Sequence, residues 1–204
     1  MFAFLFLAEE TAFSMLENLK EVIISSTVKN IADFAFSSGF NNKTLTSLVA
    51  IEFSDSIETI GDGAFYYCTN LKSIDIPDSV TYMGSSAFGS CSSLETAKVG
   101  NGIKTIDWHT FKDCTSLKSV ELGNNVELIE RFAFSGCTNL TDIVIPVSVK
   151  RIEEDAFSQT MNFHYKGLWI QWMILQCKSD LFTRRVNTHY VYFTNSKLKI
   201  YGIN

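Results

Sequence analysis

Leu71-Lys-Ser-Ile-Asp-Ile-Pro-Asp-Ser-Val-Thr-Tyr-Met-Gly-Ser-Ser-Ala-Phe-Gly-Ser-Cys91 is the stretch from which the fold can be read. Its apolar residues fall at Leu71, Ile74, Ile76, Val80, Met83, Ala87, Phe88 and Cys91. The next stretch repeats them at Leu94, Ala97, Val99, Ile103, Ile106, Thr110, Phe111 and Cys114, each 23 positions on. Cys68, Cys91, Cys114 and Cys137 keep that step, as do Phe65, Phe88, Phe111, Phe134 and Phe157. A period of about 20–29 residues carrying several apolar positions is the signature of a leucine-rich-repeat solenoid.

The ladder extends in both directions. Downstream it reads Leu117, Val120, Leu122, Val126, Ile129, Ala133, Phe134, Cys137, then Leu140, Ile143, Ile145, Val149, Ile152, Ala156, Phe157, with Thr160 at the cysteine place. Upstream come Leu48, Ile51, Phe53, Ile57, Ile60, Ala64, Phe65 and Cys68, preceded by Leu19, Val22, Ile24, Val28, Ile31, Ala35 and Phe36, with Gly39 at the cysteine place. Phe36 and Phe65 lie 29 apart, so about six residues are inserted near 40–45, a glycine- and asparagine-rich stretch that reads as a loop. Leu5, Ala8, Ala12, Phe13 and Leu16 fit a partial first unit. The solenoid is thus expected over residues 1–160, in roughly six and a half units, with a non-repeat cap or tail over 161–204.

Within a unit, Leu-x-x-Ile-x-Ile alternates and is β-branched, which reads as a short inward-facing strand. Pro77 and Pro146 directly follow it, where proline ends pairing. Parallel pairing of such strands needs a long return path, which the remainder of each unit supplies as turns or short helical segments. No unit can bury its own apolar face, so neighbouring coils must. At about 4.8 Å per rung the stack would be roughly 30 Å long, with the phenylalanines as an internal spine.

The unit Leu71–Cys91, with its Ile-Pro-x-Ser-Val, Gly-x-x-Ala-Phe and Cys signatures, resembles the BspA-like leucine-rich repeat. That resemblance covers about three quarters of the chain. It implies a bacterial or protist surface or secreted protein with a role in adhesion to host proteins or other cells, and it carries no catalytic residues with it.

Composition bounds the rest. A 204-residue chain with 46% hydrophobic residues and 17 phenylalanines can bury a sizeable core and is not a disordered one. A net charge of −5 without a basic cluster argues against nucleic acid, since Arg184-Arg185 alone is too little. Four of the five cysteines occupy equivalent positions, which predicts a ladder of buried free thiols. The absence of Cys-x-x-Cys argues against zinc. The apolar start Phe2–Ala8 lacks a basic flank and a small-x-small cleavage site, and its register continues the repeat, so a truncated repeat is favoured over an export signal. Leu168–Leu175 is too short to span a bilayer. It belongs either to a cap over the last coil, to a membrane-surface or partner-binding segment, or to a poorly ordered tail. Tyr190–Phe193 and Leu198–Tyr201 read as two strands of a hairpin.

No nucleophile elbow, phosphate loop, dinucleotide fingerprint or metalloprotease motif occurs, so neither an enzyme nor a cofactor site is expected. His109, in Asp107-Trp-His-Thr-Phe111, sits at a variable position and reads as a surface residue rather than a base. Of two glycosylation sequons, at Asn42 and Asn139, only Asn42, in the insertion, suits an acceptor, and only in a secreting eukaryote.

Solenoids bind along their extended sheet. Its outward columns should be Glu21, Ala50, Ser73, Thr96, Ser119, Asp142 and, beside them, Ile23, Glu52, Asp75, Lys98, Glu121, Val144. The second column is acidic through its middle and the face lacks aromatics. We expect these to be solvated sheet positions or, more sharply, a docking face for a basic protein or peptide centred on Glu52, Ser73, Asp75, Thr96, Lys98, Ser119 and Glu121. An unpaired solenoid end also offers strand edges for self-association.

Overall fold

The computed structural model describes residues 18–38, 47–141 and 143–158, with the backbone alone of 162–165, 189–193 and 196–200. The signal-like start, Gly39 with the inserted loop and Asn42, Asp142, Thr160, Leu168–Leu175 and the fifth cysteine, Cys177, lie outside the described residues.

Each coil contributes two strands. The front row holds β1 (Glu21–Ile23), β3 (Ala50–Glu52), β5 (Ser73–Ile76), β7 (Thr96–Val99), β9 (Ser119–Glu121) and β11 (Ile143–Ile145). The back row holds the two-residue strands β2 (Asn30–Ile31), β4 (Thr59–Ile60), β6 (Tyr82–Met83), β8 (Thr105–Ile106), β10 (Leu128–Ile129) and β12 (Arg151–Ile152). Pairing is parallel and follows the repeat: Ile74 opposes Ala97, which opposes Val120. Across the insertion, Val22 still opposes Ile51 and Ile31 opposes Ile60, so the extra residues leave the register untouched. The front row pairs as three ladders, β1–β3, β5–β7–β9 and a third in which β11 is joined by β13 (Asn162–Tyr165), parallel to β11, and β14 (His189–Phe193), parallel to β13. β15 (Ser196–Ile200) pairs antiparallel with β14.

The return path takes the first of its two expected forms, turns rather than short helical segments. Among the described residues no helix forms; Gly-x-x-Ala-Phe is a run of turns. The reason is local. One residue of that run is left-handed in every coil: Phe34, Gly63, Ser86, His109, Phe132 and Asp155, with φ of 54–60°. Left-handed residues cannot extend a right-handed helix. The turns instead bond from coil to coil, Phe65 N–H to Ala87 O at 2.8 Å, Phe88 to Thr110 at 3.0 Å and Phe111 to Ala133 at 2.8 Å.

The core is what the ladder predicts. Phe36, Phe65, Phe88, Phe111 and Phe134 are fully buried. From Phe36 to Phe157 successive rings stack at centroid separations of 5.0, 5.2, 5.8, 5.3 and 5.0 Å. Cys68, Cys91, Cys114 and Cys137 are free and buried. Each thiol meets the phenylalanine carbonyl of the preceding coil at 3.0–3.3 Å: Phe36, Phe65, Phe88 and Phe111.

Candidate functional site on the front sheet

The front strands set the site by alternation. In β5 and β7 the pattern runs exposed, buried, exposed, buried, so Ser73 and Asp75, then Thr96 and Lys98, point outward while Ile74, Ile76, Ala97 and Val99 enter the core. Register then aligns the outward residues. Ser73, Thr96 and Ser119 form one row, and Asp75, Lys98 and Glu121 the next. Glu52 lies one coil before Asp75, and the two line a single depression of about 700 Å3 with Lys98, Asp55, Asp78 and Phe53. The seven residues expected on this face are therefore brought together on adjacent rungs. The outward columns contain no aromatic, but Phe53, on an inward column, is only partly buried and reaches the depression; its ring also meets Phe65 edge-on at 5.9 Å.

The electrostatics are less simple than a column of carboxylates. Lys98 Nζ sits 3.2 Å from the Asp75 carboxylate. That hydrogen bond, with the charges of Asp75, Glu121 and Asp78, pushes the Lys98 ammonium above its usual range. Asp75 is thus partnered, while Glu52 and Glu121 carry the acidic character on either side. At the edge, Asp78 accepts the Asn101 N–H at 2.7 Å and the Asn101 side-chain amide at 3.2 Å, which lowers its carboxyl below the usual range. Asn101 Oδ1 accepts from Asn124 N–H at 2.9 Å in turn, so this corner is a polar ladder.

Elsewhere exposed charges also pair between rungs: Lys118 with Glu95 at 2.7 Å, Lys150 with Glu127 at 2.7 Å, and Lys29 with Glu58. Asn139 donates its side-chain amide to Thr115 O at 2.7 Å, tying one coil corner to the preceding one.

One feature lay beyond the sequence reading. The turn side of the coils carries a separate cleft of about 370 Å3, lined by residues that include Tyr66, Trp108 and His109. His109 is half-buried and stacked on Trp108 at 3.5 Å. Burial, reinforced by Lys112 and opposed by Asp113, lowers its imidazole below the usual range. The signal available in the sequence was the coil between, Gly84-Ser-Ser-Ala-Phe-Gly-Ser90, whose outward turn positions hold only small residues. Among the described residues no cluster of three or more His, Cys, Asp or Glu could hold a metal, and no helix is long and apolar enough to cross a membrane.

The family model described as BspA type Leucine rich repeat region matches residues 7–47 and 37–164, in 6 copies. Among solved structures the chain is similar to a leucine-rich repeat protein from Eubacterium ventriosum ATCC 27560, with 31% identity and a TM-score of 0.63 over 70% of this chain. It is also similar to the T. pallidum leucine-rich repeat protein, with 24% identity and a TM-score of 0.53 over 71% of this chain, a likeness of fold alone. The chain spans 37% and 57% of those two structures. No curated protein matches it.

Proposed function

This chain belongs to the BspA-type leucine-rich-repeat family, and on that premise we propose that it is a non-enzymatic interaction module whose front sheet docks a basic protein or peptide, in adhesion to host or cell-surface proteins. The observation that carries the reading is the alignment of Asp75, Lys98 and Glu121 on adjacent rungs, with Glu52 joining Asp75 and Lys98 around one depression. From Ser73 to Glu121 both outward columns are held in register by the parallel ladder β5–β7–β9, so a partner meets a preformed surface. Complementary charge chiefly raises the association rate and selects partners.

The test is binding of the purified chain to panels of extracellular-matrix and host-cell proteins, beside a variant carrying Glu52→Lys, Asp75→Lys and Glu121→Lys. Saturable binding that the variant loses supports the reading. Binding that survives unchanged removes the sheet face. No binding to any panel member favours the alternative, in which these coils are a spacer within a larger surface protein.

Two further parts belong to the same proposal. Residues 161–204 act as the cap of the solenoid, since β13 and the β14–β15 hairpin add to the front sheet beside β11. Copies of the chain associate through solenoid ends, because β15 pairs with no further described strand. A sedimentation profile that stays monomeric at all concentrations would remove the second.

A further inference from the structure

The turn-side cleft has a compositional origin. Turn positions run in register through the stack. One column reads Asp62, Ser85, Trp108; another reads Tyr66, Gly89, Lys112. In the middle coil both columns drop to small residues while their neighbours stand tall. The result is a notch spanning two rungs, about 9.6 Å from the first wall's backbone to the second's. Across it Asp62 faces Trp108, and Tyr66 faces Lys112. Tyr66 leans over the floor: a side chain at Gly89 would begin 3.1 Å from its Cδ2. Trp108 is 46% exposed, with one side stacked on His109 at 3.5 Å.

The polar groups of the walls are only half used. Asp62 Oδ1 accepts Ser85 N–H at 2.9 Å and the Tyr82 hydroxyl at 3.2 Å. Its Oδ2 has no donor among the described residues. Lys112 Nζ lies 3.9 Å from Asp113, too far for a hydrogen bond. Ser85 is tied to Asp107 at 3.1 Å, which keeps its side chain down in the floor.

We propose that this cleft binds a neutral sugar ring, as a mono- or disaccharide. The proposal is independent of the sheet face, which shares no lining residue with it. A volume of about 370 Å3 lies at the small end of ligand pockets, about 300–1,000 Å3. Tyr66 and Trp108 offer apolar ring surface to the C–H faces of a pyranose, and each keeps a polar tip at the wet edge. A sugar's rim of hydroxyls both donates and accepts. Asp62 Oδ2 can only accept and Lys112 can only donate. A cationic ligand would meet Lys112 and an anionic one would meet Asp62, whereas a neutral polyol satisfies both.

The experiment is saturation-transfer NMR on the full chain with glucose, galactose, N-acetylglucosamine and their β1–4 dimers at up to about 10 mM. It is repeated with Trp108→Ala and with Ser85→Tyr, which fills the notch without removing a wall. Circular dichroism and Tm establish that both variants fold. We expect transfer to at least one saccharide, weakened about tenfold or more in each variant, and unchanged in the Glu52, Asp75, Glu121 charge-reversal chain. Absence of transfer from every saccharide overturns the proposal. So does binding that persists in both variants, and so does preference for a tetramethylammonium probe over all sugars.

Discussion

At the scale of the residue, the repeat is a list of positions each with its own physical demand. Phe111 has a fully buried ring between Phe88 and Phe134, at 5.8 and 5.3 Å. Removing it leaves a cavity two neighbours cannot close, so Phe111→Ala should cost about 3–5 kcal/mol, read from urea unfolding. The cysteine position demands something small and apolar that can still face a carbonyl, which a thiol does. Burial pushes Cys68 and Cys137 up to about 12, and raises Cys91 and Cys114 well above the usual thiol range, each from a reference of 9.0. The sign of the linkage is that of a raised pKa. Stability is fully present below pH 9, where unfolded thiols are still protonated. It falls between 9 and about 12, where only the unfolded chain ionises, by about 1.4 kcal/mol per pH unit per thiol. Tm measured from pH 8 to 10.5 should therefore drop, and a Cys91→Ser, Cys114→Ser double variant should flatten the drop. Equal slopes in both chains would place the alkaline sensitivity elsewhere. These positions were legible in the sequence because burial at a fixed step leaves a fixed residue type. The left-handed positions were not, because Phe34, Ser86, His109, Phe132 and Asp155 share no side-chain character; only Gly63 shows the backbone requirement openly.

At the scale of the element, strands of two to four residues are too short to be stable alone, and their register is held by turns and cross-rung pairs. A second left-handed column, Tyr67, Ser90, Asp113 and Gly136, precedes each cysteine, and Gly136 meets its demand without strain at φ 78°. An added Cβ there would also sit 2.2 Å from Asp113 Oδ1. Gly136→Ala should lower stability by about 1 kcal/mol or more, seen as a lower Tm with unchanged far-ultraviolet circular dichroism; a neutral or stabilising result would contradict the strain. The polar corner and two exposed ion pairs act on the acid limb. Asp78 is lowered by Asn101, Glu95 by Lys118 and Glu127 by Lys150. For lowered carboxyls the stability is present above the unfolded pKa, about 4, and is lost as pH falls below it. Thermal scans should show Tm level from pH 7 to 5 and falling below 4, with a smaller fall in Asp78→Asn. A Tm flat down to pH 2.5 would mean these exposed pairs add nothing. The front strands were legible because inward and outward residues alternate. The return path was read too loosely, since Ala-Phe suits a helix as well as a turn and only the left-handed residue between excludes the helix.

At the scale of the whole molecule, each coil contacts only its neighbours, so stability is a sum of coil and interface terms. That makes the ends weak and the middle strong, and it explains why the sheet face was legible while the turn-side cleft was not. The face follows from a rule every coil obeys. The cleft follows from one coil departing from its neighbours, at Ser85, Ser86, Gly89 and Ser90, and a departure from pattern carries no meaning until rungs are stacked. The same additivity gives the cap proposal a measurable edge. β9 is paired with β7, and β11 owes its pairing to β13, whose own support comes from β14 and β15. If residues 161–204 close the stack, the amides of Ile143 and Ile145 should exchange with deuterium about as slowly as those of Ser119 and Glu121 in the intact chain. If they exchange as a frayed edge does, orders of magnitude faster than β9, then β13 to β15 do not shield the last coil and the capping role fails, whatever the front face binds.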